Sequence, residues 1–291
     1  MGFLQAIRAL FSNKVDIAQR FEIEREAISG TMSEFFAARD RQTGKMVGLK
    51  IQDKDKTEAV ESRFKALKKP SEGEIALGMD HPRIVKTLEH GTTTDNRAYI
   101  LMEFLDGPGL NSLIISKSEL LNGNRLALLR QAAEALDYVH GRGYIHRDIC
   151  PRNFVCSKDA TSLKLIDFGL TLPAKAEYMQ PGNRVGTPNY LAPEVVRRKK
   201  TDQRLDIFAF GVTAFELFAL ELPWPKGKST GMDALNHDKI EPRQITQLCP
   251  RIDPVLGETI MQCLQIDPAA RPQSLRAFLQ KIEKVKRETI D

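Results

Sequence analysis

Two side chains near the middle of the sequence could bind a divalent cation. Asn153 ends the stretch "HRDICPRN", and Asp167 follows fourteen residues later, directly behind the apolar stretch "LKLI". Carboxylate and amide oxygens are the hard ligands that Mg²⁺ prefers in proteins. A carboxylate placed at the end of a short strand is well positioned to hold a metal. The pattern therefore indicates a magnesium site built from Asn153 and Asp167.

Four motifs follow one another along the chain. They are "VGLK" (47–50), "HRDICPRN" (146–153), "DFG" (167–169) and "APE" (192–194). Each can occur by chance, but four in this order at this spacing rarely do. In these motifs the chain resembles the eukaryotic-like protein kinases, serine/threonine branch, over about residues 21–285.

The resemblance implies a fold and an activity. The fold is α+β and two-lobed, with a small antiparallel-sheet N-lobe, a larger helical C-lobe and a nucleotide cleft between them. The activity is transfer of the γ-phosphate of Mg²⁺-bound ATP to a serine or threonine hydroxyl of a protein substrate.

The resemblance also assigns roles to individual residues. Lys50 is expected to contact the α- and β-phosphates, held by a carboxylate in "SEGEIALGMDHP", which offers Glu72 or Glu74. Glu72 is preferred because it precedes the "HP" turn by the spacing usual in the family. Asp148 is expected to accept the proton of the substrate hydroxyl or to orient it. Thr187 is expected to bond to Asp148 and help to seat that hydroxyl.

The nucleotide site implied by the resemblance draws on seven further residues: Gly30, Phe35, Gly48, Met102, Glu103, Leu105 and Val155. Its phosphate loop is eroded, because "ISGTMS" (28–33) keeps only the middle glycine of the family pattern. Phe35 stands where the family usually has valine, and Gly48 where it has alanine. Either the two substitutions exchange volume and keep the adenine slot open, or the phenyl ring fills the slot.

The catalytic loop carries a second departure. Cys150 occupies the position at which the serine/threonine branch has a lysine that touches the γ-phosphate. Arg152 lies at the offset where some tyrosine kinases place an arginine with the same task. A guanidinium is always charged and can grip phosphate oxygens, so Arg152 is expected to be catalytic. The Cys150 thiol is expected to be buried and inert; the alternative is a reactive thiol activated by its basic neighbours.

The segment "GTPNYLAPE" (186–194) is similar to the substrate platform of serine/threonine kinases. By resemblance, Glu194 is expected to pair with Arg271, and Asp206 to hold the backbone of the catalytic loop. The family's usual activation-loop threonine is replaced by Asn183. The sequence therefore predicts a loop that no threonine phosphate switches on, either constitutively folded or controlled through Tyr178 or a partner.

The departures leave a rival interpretation open. The eroded phosphate loop, Phe35 and Cys150 would suit a pseudokinase that acts as a scaffold or binding module. A small-molecule kinase is less well supported, because the "GTPNYLAPE" segment suits protein substrates.

The elements that must position these residues fall into two regions. Short strands such as "MVGLKIQ" and "AYILMEF" dominate residues 21–104, interrupted by one helical stretch around 58–79. Helices dominate residues 105–291, beginning after the linker-like "DGPG" (106–109). Helical spacing of apolar residues predicts an N-terminal helical extension over residues 1–20. Within it, residues 1–11 are expected to pack on their own domain rather than dock to a membrane or partner.

Composition excludes several classes. The net charge of +5 is mild, and the basic run "RRKK" (197–200) has no interleaved aromatic residue, so nucleic acid is not an expected partner. The longest apolar stretch, 207–220, is too short to span a bilayer and predicts a buried helix. Four cysteines without a CxxC motif favour a reducing cytoplasm.

Overall fold

The computed structural model describes residues 14–29, 33–182, 185–224, 237 and 239–289. These residues divide into two compact units. The first takes in the described residues up to Asp80 together with Val85–Leu105, and the second takes in His81–Ile84 together with the described residues from Asp106 onward. Gly30 and the segment 1–11 lie outside the described residues, so the predictions made for them stay predictions.

The first unit is built on a six-stranded sheet. Its strands are β1 (Lys14–Val15), β2 (Phe21–Ser29), β3 (Ser33–Asp40), β4 (Met46–Gln52), β5 (Thr87–Thr93) and β6 (Ala98–Glu103). Their order across the sheet is β1-β5-β6-β4-β3-β2, with every neighbouring pair antiparallel except β1 and β5. One apolar core cluster is formed by Phe21, Ala38, Val47, Leu49, Ile51, Tyr99 and Leu101. Side chains alternate along a strand, so Lys50 and Gln52 point away from Leu49 and Ile51 of this cluster.

The helices of the first unit are short. They are α1 (Ile17–Arg20), α2 (Lys54–Glu61) and α3 (Glu72–Leu77), with a 3₁₀ helix at Ser62–Leu67. The single helical stretch expected around 58–79 is thus interrupted: Lys68 adopts φ +49° and Ser71 caps a new helix. The described part of the predicted N-terminal extension holds β1, which joins the sheet, as well as α1.

The second unit is mainly helical. Its helices are α4 (Leu110–Ile115), α5 (Arg125–Gly141), α6 (Pro193–Val196), α7 (Arg204–Ala219), α8 (Ile245–Leu248), α9 (Pro254–Cys263) and α10 (Leu275–Lys281). The buried helix predicted from the apolar run is confirmed, since thirteen of the sixteen residues of α7 are buried. No helix in the described part of the chain is both long and apolar enough to cross a bilayer.

Two small antiparallel ribbons hold the loops of the second unit. The strands are β7 (Tyr144–Ile145), β8 (Phe154–Cys156), β9 (Leu163–Leu165) and β10 (Leu172–Pro173). β8 pairs with β9, and β7 pairs with β10. The catalytic-loop motif therefore lies between β7 and β8, and the DFG motif between β9 and β10.

Candidate active site

Lys50 forms a buried ion pair in the first unit. It lies in β4 and is 3 % exposed, and its Nζ donates to Oε1 of Glu72 at 2.5 Å. The second carboxylate oxygen of Glu72 accepts from Nε2 of Gln52 at 2.7 Å. A buried lysine requires a charged partner, and here a carboxylate with a second donor supplies it.

Of the two candidate acids, the structure pairs Lys50 with Glu72. Glu74 serves the start of α3 instead, because its carboxylate accepts from the backbone N–H of Ser71 while Ser71 Oγ accepts from Glu74 N–H. This reciprocal arrangement is a capping box, and it fixes where α3 begins and hence where Glu72 lies. Sequence reasoning missed Gln52. The signal was its position two residues after Lys50, on the same face of the strand.

Phe35 lies over the ammonium group of Lys50. The strand register places Phe35 of β3 directly opposite Lys50 of β4, and the ring centroid is 5.1 Å from Nζ. A cation at this distance from an aromatic ring is attracted by the ring quadrupole. The lysine is therefore enclosed by a carboxylate and by a phenyl ring.

Met102 takes the room beside Gly48. A Cβ at position 48 would lie 2.8 Å from Cγ of Met102 and 3.4 Å from the carbonyl oxygen of Glu103. The atoms nearest to the missing side chain thus belong to β6, and Phe35 lies two residue pairs further along β3 and β4. The space left by the missing side chain at Gly48 is therefore filled chiefly by Met102, and not by Phe35.

The remaining nucleotide-site candidates fall on both units. Glu103 ends β6 and is bonded to Lys86 twice, through its backbone N–H at 2.9 Å and its carboxylate at 2.7 Å. Leu105 is the last residue of the first unit. Val155 is half-buried in β8 of the second unit, where it pairs with Lys164 and bridges to Gly109.

Asp206 of α7 anchors the catalytic loop. It is fully buried, and its carboxylate accepts from the backbone N–H groups of His146 at 2.8 Å and Arg147 at 2.7 Å. Its Oδ2 also lies 2.9 Å from Nε2 of His140. Burial alone would raise the pKa of Asp206, but these partners hold it below its ordinary value. The predicted role of Asp206 in holding the loop backbone is confirmed.

The Asp148 carboxylate is held from two sides. Thr187 donates to Oδ1 through its hydroxyl at 2.8 Å and through its backbone N–H at 2.9 Å. Asn153 donates through Nδ2 to Oδ2 at 3.2 Å and to the Asp148 carbonyl at 2.6 Å. The predicted bond between Thr187 and Asp148 is confirmed. Because its nitrogen is engaged with Asp148, Asn153 has its amide oxygen to offer to a cation.

Asn153 and Asp167 lie at the same end of the β8–β9 ribbon. Asn153 immediately precedes β8, Asp167 follows β9 by one residue, and the Asn153 carbonyl accepts from Ile166 N–H at 2.8 Å. Asp167 adopts φ +67°, a conformation that costs a non-glycine residue energy, and its Oδ1 accepts from Gly169 N–H at 2.9 Å. The carboxylate of Asp167 and the amide oxygen of Asn153 fit Mg²⁺, which proteins bind through few side chains together with substrate phosphates.

Cys150 is a buried thiol. It is 1 % exposed, and burial, followed by the charge of Asp148, raises its pKa to about 12. Its Sγ lies 3.8 Å from Oγ1 of Thr187. The alternative of a thiol activated by basic neighbours is wrong, because desolvation outweighs the charge of Arg152. Arg152 itself is exposed, and its positive charge acts on both Cys150 and Tyr190.

The platform segment is fixed to the second unit at several points. Gly186 adopts φ +132°, and a Cβ there would lie 2.9 Å from the Arg147 carbonyl oxygen, so only glycine fits. Tyr190 donates its hydroxyl to Glu216. Glu194 forms a two-pronged bond with Arg271, each arm 2.8 Å long, and this predicted pair is confirmed.

The two hydroxyl side chains of the activation segment, which we take as residues 170–186, are buried. Thr171 is 0 % exposed and Tyr178 is 5 % exposed. Asn183 lies outside the described residues. Control by phosphorylation of Tyr178 would therefore require its ring to leave the core first.

Comparison with known proteins agrees with this geometry. The family model described as "Protein kinase domain" matches residues 21–282. Serine/threonine-protein kinase pkn3 of Myxococcus xanthus is 30% identical over 284 residues, which is 94% of this chain and 51% of that protein. Serine/threonine-protein kinase pkn2 of the same organism is 30% identical over 265 residues, covering 88% and 31%. A probable serine/threonine-protein kinase of Clostridium perfringens is 29% identical over 278 residues, covering 94% and 39%.

The chain thus spans between about a third and a half of the length of these relatives. The match extends across both units and includes the four motifs, the Lys50–Glu72 pair and the Glu194–Arg271 pair. The chain belongs to the protein kinase domain family and has its two-lobed α+β fold.

Proposed function

We propose that the chain is a serine/threonine-specific protein kinase that transfers the γ-phosphate of ATP to a protein hydroxyl. The observation that carries this proposal is the Asp148 carboxylate, bonded to Thr187 on one side and to Asn153 on the other. A carboxylate fixed in this way can accept a hydroxyl proton in one defined direction. The names of the relatives support the same specificity.

The other proposed roles follow from the charged, polar and apolar side chains that each unit presents. Lys50, oriented by Glu72, would neutralise the α- and β-phosphates, and the backbone next to Glu103 and Leu105 would bind the adenine edge. Gly30, Phe35, Gly48, Met102 and Val155 would enclose the nucleotide. Asn153 and Asp167 would hold Mg²⁺, which would supply positive charge against the phosphate oxygens.

Arg152 is proposed to replace the missing lysine of the catalytic loop. It is exposed, its charge acts on the neighbours Cys150 and Tyr190, and Cys150 is a neutral thiol that cannot take the task. Removing one electrostatic stabiliser of this kind costs about 10²–10³-fold in turnover in comparable enzymes.

A pseudokinase scaffold is the second candidate, and one observation favours it. The Phe35 ring lies 5.1 Å from the Lys50 ammonium, which is 3 % exposed. A ring that stays there would keep nucleotide phosphates away from the lysine.

The deciding experiment measures phosphate transfer directly. The protein is incubated with radiolabelled ATP, Mg²⁺ and a generic basic protein, with Asp167→Asn as the inactive control. Label on serine or threonine that the control lacks supports the kinase, and phosphoamino-acid analysis separates these residues from tyrosine. No transfer above the control, in protein that is folded by circular dichroism, favours the scaffold. The cytoplasmic location stays a prediction, compatible with four free thiols.

A further inference from the structure

Gln52 bonds to the carboxylate that holds Lys50. It ends β4, two residues beyond Lys50, and is 8 % exposed. Side chains alternate along a strand, so Gln52 and Lys50 point to the same face of the sheet. Their nitrogens bond to different oxygens of one carboxylate: Lys50 Nζ to Oε1 of Glu72 at 2.5 Å, and Gln52 Nε2 to Oε2 at 2.7 Å. A single strand therefore holds both oxygens of Glu72.

The strand β4 is a firm support for this carboxylate. It lies inside the sheet, paired with β3 on one side and with β6 on the other. Glu72 is the first residue of α3, which has six residues, so a bond that fixes its carboxylate to β4 also fixes the start of the helix. A helix this short depends on such outside contacts, because isolated helices of fewer than about 12–15 residues are marginal in water.

A second contact brings the backbone of α3 close to the sheet. Gly73 follows Glu72 in the chain, and a Cβ at Gly73 would lie 2.6 Å from Cβ of His90 in β5. The absence of a side chain at Gly73 therefore allows the first turn of α3 to approach β5. This contact acts on the backbone beside Glu72, whereas Gln52 acts on the Glu72 carboxylate itself.

An uncharged hydrogen-bond donor suits position 52. The single negative charge of Glu72 is balanced by Lys50. A second cation would compete with Lys50 for the carboxylate, and an acidic side chain would repel it. An apolar side chain would take away the donor to Oε2, and a buried acceptor that loses its donor costs free energy. Glutamine has the length and the donor without the charge.

We propose that Gln52 is a positioning residue of the nucleotide site: by bonding to Glu72, it sets the direction in which the carboxylate holds the Lys50 ammonium. The terminal torsion of a glutamate side chain is broad, so a carboxylate bonded through one oxygen can still turn. With both oxygens bonded, the ammonium has a defined place before a nucleotide binds. The effect on nucleotide binding rests on the proposed kinase function, whereas the effect on Lys50 does not.

The variant Gln52→Met tests the proposal, because it keeps the length of the side chain and removes the donor. The first measurement is the ¹⁵N NMR signal of the Lys50 ammonium without nucleotide, identified by its absence in Lys50→Met. The unaltered chain is expected to give a sharp signal, and Gln52→Met to broaden it beyond detection. An unaltered chain without a sharp signal would show that the ammonium is not held in one place and would overturn the proposal.

The second measurement is the Kd for a non-hydrolysable ATP analogue with Mg²⁺, by calorimetric titration. Gln52→Met is expected to raise this Kd about tenfold, because a hydrogen bond to a charged group is lost. In the background Glu72→Gln, adding Gln52→Met is expected to change the Kd no further, since Gln52 acts through that carboxylate. A further tenfold loss there would show another route to the nucleotide and would overturn the proposal.

The matched control variant is Gln131→Met, which removes a buried glutamine from the second unit. Gln131 is 9 % exposed, donates to the Thr161 carbonyl at 3.0 Å and accepts from Leu163 N–H at 2.9 Å. Its replacement is expected to lower Tm and to leave the Lys50 signal and the Kd for nucleotide unchanged. Loss of the Lys50 signal in both glutamine variants would show a general loosening and would overturn the proposal.

The remaining outcomes separate the positioning role from the proposed kinase function. A sharp Lys50 signal in Gln52→Met refutes the positioning role, and so does an unchanged Kd when the signal is lost. If Gln52→Met does not fold, Gln52→Asn takes its place with the same expectations, because it keeps an amide but draws it back by one methylene. If the unaltered chain binds no nucleotide while its Lys50 signal depends on Gln52, the positioning of Lys50 stands and the kinase function fails.

Discussion

Replacing Phe35 with valine is expected to strengthen nucleotide binding. In the structure the phenyl ring lies 5.1 Å from the Lys50 ammonium, which is 3 % exposed. A cation–π contact is worth about 0.5–1 kcal/mol when exposed and about 2 kcal/mol when desolvated, and this lysine is at the desolvated end. If a nucleotide phosphate must displace the ring from Lys50, then removing the ring is expected to strengthen nucleotide binding by about 1–2 kcal/mol. This corresponds to a roughly 5- to 30-fold lower Kd.

The assay is calorimetric titration with Mg²⁺ and a non-hydrolysable ATP analogue, which measures affinity without turnover. Phe36→Val is the matched control, because Phe36 is on the same strand but packs on the core cluster of the other sheet face. That variant is expected to lose stability and to keep its affinity for nucleotide.

Weaker binding by Phe35→Val would refute the reasoning, because it would show that the ring supports the nucleotide instead of competing for Lys50. Unchanged binding would show that ring and phosphate do not share the lysine. Stronger binding accompanied by faster phosphate transfer would identify Phe35 as the residue that restrains an otherwise competent site.

Three further predictions rest on single contacts. Arg152→Ala is expected to lower kcat by about 10²–10³-fold with little change in the affinity for ATP, measured by steady-state kinetics; near-normal turnover would contradict its proposed role. Gly48→Ala is expected to lower the free energy of unfolding by about 1–3 kcal/mol, since the new Cβ meets Met102, and adding Met102→Ala should recover part of this loss in urea denaturation. Cys150 is expected to resist alkylation in the folded protein up to about pH 10, because burial raises its pKa to about 12, while the half-buried Cys249 reacts first. Mass spectrometry of partly labelled protein checks the order, and early labelling of Cys150 would restore the reactive-thiol hypothesis.

The elements that could be predicted from the sequence were those with a regular pattern of apolar residues. The apolar run of α7 predicted a buried helix, and the alternating, β-branched "MVGLKIQ" predicted β4. The strand β5 was not predicted, because "TLEHGTT" carries polar residues within the sheet. Glu89 accepts from Arg20 at 2.8 Å and from the Tyr99 hydroxyl, and such partners cannot be seen in a local sequence window.

The candidate site divides in the same way. The resemblance to the protein kinase family was enough to prefer Glu72 over Glu74 and to link Asp206 with the catalytic loop. The position of Phe35 over Lys50 was not foreseeable, because it depends on the exact register between β3 and β4. The burial of Cys150 agrees with the preferred expectation from the sequence, although two neighbouring arginines had left a reactive thiol open as the alternative.

The guanidinium of Arg271 sets a limit on how far the chain can be shortened. It is completely buried and bonds to Glu194 and to the backbone carbonyls of Arg204, Gln265 and Ile266. A fragment that stops before Arg271 would leave the Glu194 carboxylate enclosed without a counter-charge, a defect that costs about 3–5 kcal/mol. Expression of a minimal folded fragment therefore has to retain this arginine and α10 behind it, although both lie far along the chain from every residue proposed to contact phosphate.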